Sequence, residues 1–124
     1  MPRLLDLADD LIAVGDIVRL SDNYDTGPDT GPVDLLVFDP RDDNAGIGLV
    51  VASGYKSGLV FAVLPLESRF EKKAGLSKAW LIENWDKWFV FTYQGGPVPI
   101  AETVILRWNE RMIVETRHAH SRSA

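Results

Sequence analysis

The chain has 124 residues, of which 46% are apolar and 25% charged, and its formal net charge is −5. That is one domain's worth of chain, too short for two independent cores and apolar enough to exclude global disorder. No run approaches the roughly 18 apolar residues of a transmembrane helix, and the lack of cysteine excludes a disulfide framework, a zinc–thiolate site and a cysteine nucleophile. The opening Met1-Pro2-Arg3-Leu4-Leu5-Asp6 is broken by charge and reads as no signal peptide. The expectation is a soluble, cytoplasmic protein with no membrane partner.

Residues 3–13 place Leu4, Ala8, Leu11 and Ile12 on one helical stripe, which predicts an N-terminal helix ended by Gly15 at a C-cap position. Asp16 to Leu20 reads as a short strand. Residues 21–32 contain Asp-Thr-Gly-Pro twice in succession, and the two Gly-Pro steps make them a loop. Val33 to Phe38 is the next strand, closed by Asp39-Pro40, and Arg41 to Ala45 is an acidic turn. The apolar runs Ile47–Ser53 and Leu59–Leu64 bracket the turn 54–58 and predict a hairpin. Neither run alternates, so this hairpin is expected at the centre of the core, covered on both faces.

Residues 66–76 form a charged loop leading to Ser77, a plausible N-cap. On a helix, Trp80, Leu81, Asn84, Trp85 and Trp88 fall within an arc of about 140°, with Glu83, Asp86 and Lys87 opposite. A helix from 78 to about 86 and a strand from Trp88 to Tyr93 follow from this. Thr103–Trp108 and Met112–Thr116 read as a last hairpin. About seven strands and two short helices, without strand–helix alternation, predict a mainly β (α+β) protein. Its expected form is a single small domain over 1–116, with a curled or barrel-like antiparallel sheet, an N-terminal helix and one short Trp-rich helix. Residues 117–124 are expected to be a flexible tail.

The charge is unevenly laid out. Residues 1–43 hold eleven Asp against three Arg, with neither Glu nor Lys, whereas residues 44–124 hold seven acids and ten bases. Asp-rich stretches are ordinarily solvated turns. The alternative is an acidic face that speeds docking of a basic partner. Direct nucleic-acid binding is disfavoured, because phosphate recognition wants clustered Lys and Arg.

The catalytic inventory is sparse. Both histidines, His118 and His120, lie in the tail, which supports neither a metal site nor a Ser-His-Asp triad. The acidic loops miss the EF-hand pattern, leaving only an irregular weak calcium site among Asp22, Asp25 and Asp29 as an open alternative. The glycines around Lys56 miss the phosphate-loop pattern. No cofactor is expected, and no enzyme class fits. Tyr55 and Lys56, at a hairpin tip, are the better candidates for an exposed binding anchor, since the tryptophan stripe is more simply core.

Four stretches together resemble a known group. They are Gly15-Asp16-Ile17-Val18-Arg19, Ser53-Gly54-Tyr55-Lys56-Ser57-Gly58, Leu64-Pro65-Leu66-Glu67-Ser68, and the more specific run from Ser77 through Trp80 and Trp85 to Trp88. The sequence resembles the small immunity proteins of bacterial polymorphic toxin systems, particularly the mainly β immunity protein 45 family, over roughly residues 10–93. The resemblance implies a non-enzymatic protein that binds and neutralises a cognate toxin or effector. It carries over no site residues. On charge and exposure, the expected partner-binding residues are Asp22, Asp25, Asp29, Asp42, Asp43, Tyr55 and Lys56. The other reading is a small β-barrel adaptor that binds a peptide or ligand through Tyr55 and its neighbours.

Overall fold

The computed structural model describes residues 2–22, 31–54, 56–91 and 96–108. Its centre is an antiparallel sheet of five strands: β2 (Ile17–Leu20), β3 (Val33–Phe38), β4 (Gly48–Val51), β5 (Val60–Val63) and β9 (Val104–Leu106). Their order across the sheet is β5-β4-β3-β2-β9. Strand β3 alternates buried and half-buried residues along its whole length, as a strand with one covered face should. The register continues that alternation sideways. Val18 pairs with Leu35 and Ile105, Leu35 with Val51, and Val37 with Leu49. All of these are buried, so one face of the sheet is the floor of the core.

The Trp-rich segment is part of the core's cover. It forms two short helices, α1 (Lys78–Glu83) and α2 (Trp85–Trp88), and the Ser77 hydroxyl accepts from the Trp80 amide as its N-cap. Leu81, Trp85 and Phe89 are buried, and Trp80 and Trp88 pack half-buried against them. The Trp85 ring stacks on Phe89 with centroids 3.9 Å apart, and its Nε1 donates to the Val98 carbonyl at 2.9 Å. The indole is thereby buried with its polar atom satisfied. Two small sheets complete the described residues, β1 (Leu11–Ala13) with β6 (Gly75–Ser77) and β7 (Val90–Phe91) with β8 (Gly96–Pro97).

Three expectations are corrected. The N-terminal helix is absent. Leu4–Asp6 form one 3-10 turn, and Leu11–Ala13 pair with β6 as a strand. Ala8 is exposed while Leu4, Leu7 and Ile12 are buried, so the apolar residues reach the core from a turn and a strand. Asp6, Asp9 and Asp10 are poor helix formers, and the short apolar run fits either element. Gly15, at φ +96°, serves the turn from β1 to β2.

Second, the sheet is open rather than barrel-like among the described residues, since β5 and β9 are its two edges. Third, the β4–β5 hairpin is not covered on both faces. Strand β4 is largely buried, but Val60 and Val63 of β5 are exposed at the edge, with a bulge opposite Leu49 and Val50. The expected strand at 112–116, the tail at 117–124, His118 and His120 lie outside the described residues.

A buried ion pair fastens β9 to the start of the sheet. Asp16 is 1% exposed, and its carboxylate accepts from the Ala13 and Trp108 amides and from Arg107 Nη1, all within 2.9 Å. The same Arg107 nitrogen donates to the Leu11 carbonyl, and Nη2 donates to Asp9. Removing one partner of a buried pair strands the other charge. Arg107→Met is therefore expected to cost about 3 kcal/mol of stability. An unchanged urea midpoint for this variant would show that the pair carries no such weight.

Candidate functional site

Chain direction places the two ends of the sheet in different chemical settings. At the start of β3, the Asp34 amide donates to the Ser53 hydroxyl, and the Ala52 amide donates to the Asp34 carbonyl. The β4–β5 turn therefore lies at this end, together with the exposed Asp22 just after β2. Nearby, Arg19 and Asp34 face each other in register and form a two-pronged ion pair at 2.6 and 3.0 Å. The bond to Asp34 raises the Arg19 guanidinium's pKa further still.

At the other end, about 17 Å away along the six residues of β3, the β3–β4 turn meets the chain leaving β5. Gly46 makes that meeting possible. A Cβ there would overlap the Pro65 carbonyl oxygen and the Ser68 hydroxyl. The Gly46 amide donates to Leu64, the Leu64 amide to Ile47, and the Ile47 amide to the buried Ser68 hydroxyl. Arg69 then crosses the junction. Its Nε donates to the Ala45 carbonyl at 3.1 Å, and its Nη2 donates to Asp39 at 2.9 Å.

This clamp frames an open groove of about 760 Å³ lined by Asp39, Arg41, Asp42, Asp43, Leu66, Glu67, Arg69, Glu71 and Lys72. Arg69 and Asp39 neutralise each other within the frame. The remaining exposed charges are Asp42, Asp43, Glu67 and Glu71 against Arg41, Lys72 and Lys73, the last pairing with Glu71 at 3.7 Å, with Leu66 half exposed beside them. The groove is thus acidic with one apolar anchor. Arg41, Glu71 and Lys72 have positive φ (57°, 49° and 61°), and they are the non-glycine residues with this property among those described. Such conformations persist only where their surroundings hold them, and they gather at functional sites.

Of the residues expected to bind a partner, Asp42 and Asp43 line this groove, and Asp22 and the half-buried Lys56 lie at the opposite end. Asp25, Asp29 and Tyr55 fall outside the described residues. Leu66, Glu67, Arg69 and Glu71 are additions from the structure. Their sequence signal is the charged run after Pro65, which on its own reads only as a loop.

A family model for immunity protein 45 matches residues 4–98. The chain belongs to this family. No curated protein and no solved structure matches it. The match covers the whole groove and the Trp-rich helices, whereas β9 and the Arg107 side of the buried ion pair follow it in sequence. The frame of this immunity protein's acidic end is therefore internal to the family region.

The groove also makes a pH prediction. Asp39 accepts from Arg69 Nη2 and from the Arg41 amide, and these bonds hold its carboxyl below its ordinary value near 3.8. A carboxyl depressed in the folded state stabilises fully above its unfolded pKa, and that contribution is lost as pH falls through the folded value. Between about pH 5 and pH 2, Asp39→Asn should lose stability less steeply than the wild type. Parallel stability curves in urea titrations at those pH values would contradict the assignment.

Proposed function

We propose that this chain neutralises a cognate bacterial toxin or effector domain by forming a tight, non-catalytic complex with it, as part of a polymorphic toxin system. The observation that carries this reading is membership of the immunity protein 45 family. The groove supplies a physical means. Its four exposed carboxylates stand on a backbone fixed by Gly46, Ser68 and Arg69, so little loop ordering has to be lost on docking. Toxins that attack nucleic acid carry basic clefts, and spaced carboxylates on a rigid frame can take the place of phosphates there. Exposed Leu66 adds an apolar contact of the kind that slows dissociation.

Asp22, Asp25, Asp29, Tyr55 and Lys56 complete the set proposed for partner binding, and of these Asp22 and Lys56 lie at the opposite end of the sheet from the groove. The natural partner to test is the product of the gene beside this one. Co-expression should restore growth to cells making that toxin, and the two proteins should co-purify. Absence of both rescue and complex would overturn the reading.

Charge variants then test the mechanism. Replacing Asp42 and Asp43 with Asn, and Glu67 and Glu71 with Gln, should slow association about tenfold or more and flatten its salt dependence. An on-rate and salt slope equal to those of the wild type would remove the acidic groove from the mechanism.

A further inference from the structure

All four tryptophans lie within the described residues, and one is exposed. Trp80, Trp85 and Trp88 are buried or half-buried in the cover of the core, whereas Trp108, just after β9, is 45% exposed. Trp108 is nonetheless held from two sides. Its amide donates to the buried Asp16 carboxylate at 2.8 Å, and its Cβ, Cγ and Cδ1 lie against Gly15, where any side chain would touch them. Val14, also exposed, adjoins this contact. A large ring that stands partly in water yet is already fixed in place loses little freedom on binding, and it has the character of a binding hot spot.

Strand direction puts Trp108 at the acidic end of the sheet. β9 runs antiparallel to β2, and β2 to β3, so the end of β9 lies at the same end as that of β3. The Gly15 amide donates to the Val37 carbonyl, two residues before Asp39 of the groove. Two strand spacings, about 10 Å, separate β9 from β3. An interface of about 800 Å² per partner is wide enough to take in both places. Beside Trp108, Asp9 and Asp16 share the guanidinium of Arg107, and the Asp9 side chain is 74% exposed.

We propose that Trp108 receives a lysine or arginine side chain of the toxin, as a cation–π seat that widens the docking surface beyond the acidic groove. This inference rests on the toxin-binding reading and names a contact which that reading lacks. Charge selects the occupant. The groove favours a basic partner, and the groups beside Trp108 continue that sign, with two carboxylates to one guanidinium. The face of an indole attracts cations more strongly than other aromatic side chains do, and the attraction grows when an interface removes water from the pair. The two surfaces then divide the work. Carboxylates in the groove act at a distance and raise the association rate, whereas a cation on Trp108 acts only at contact and slows dissociation.

The test is the dissociation rate of the complex between the full chain and its proposed toxin partner, compared for wild type, Trp108→Phe and Trp108→Met. Both replacements keep a bulky apolar side chain against Gly15, but Phe retains an aromatic face and Met does not. Trp108→Phe should dissociate about threefold faster than the wild type, and Trp108→Met about tenfold faster or more. The on-rate and its salt slope should stay unchanged in both, which a misfolded variant would not show. A Trp108→Met complex that dissociates at the wild-type rate would overturn this inference alone. So would an equal loss in the two variants, which would give the seat to an apolar side chain. A wild type that sediments as two copies while Trp108→Met sediments as one would give it to a second copy of this chain, and would also overturn it. A wild type that forms no complex would overturn the toxin-binding reading and this contact with it.

Discussion

Gly46 has no room for a side chain, and the acidic end of the molecule is organised around that constraint. Because its Cα lies against the Pro65 carbonyl and the Ser68 hydroxyl, the β3–β4 turn and the chain leaving β5 are held as one body. The short distance puts the Ile47 amide on Ser68 and lets Arg69 reach both Ala45 and Asp39. Each of these buried or half-buried polar groups has a partner, which is what makes a polar junction rigid rather than costly. Asp42, Asp43, Glu67 and Glu71 then project from a frame that is already in place. Charge that is held in position steers a partner without first having to be ordered.

The sheet separates roles along its length and across its faces. Its inner face and the Trp-rich helices bury the apolar residues, with Trp85 satisfied by Val98 at the core. One end presents the acidic groove, and the other presents the Lys56 turn and Asp22. Its outer face carries the Arg19–Asp34 pair on β2 and β3 and is apolar across Leu36, Phe38, Val50, Val60 and Val63. A small immunity protein built this way has two chemically different surfaces, an acidic groove at one end of the sheet and an apolar stretch along β3 to β5. The Asp16–Arg107 pair lies apart from both, and its work is to hold β9 against β2.

Local chemistry made much of the fold legible. Val33 to Phe38 is a strand with the bounds read from the sequence, because alternation and the Asp39-Pro40 stop both mark it. The β4–β5 hairpin and the Ser77 cap were readable for similar reasons. The N-terminal segment was not, since a few leucines among aspartates satisfy a helical stripe and a turn followed by a strand equally well. Nor does an unalternating run such as Leu59–Leu64 disclose whether it is central or at an edge, because strand order is a long-range property. The groove was half visible. Asp42 and Asp43 stand out by charge, but Glu67 and Glu71 join them only through contacts from residues 45–47 to residues 64–69, which no local pattern encodes.

The most direct test of the account is hydrogen–deuterium exchange on the protein alone and in complex with the toxin partner proposed for it. If the acidic end binds the toxin, backbone amides at 41–46 and 66–73 become protected on complex formation. Protection confined to other segments, with those two unchanged, would contradict the groove as the docking surface.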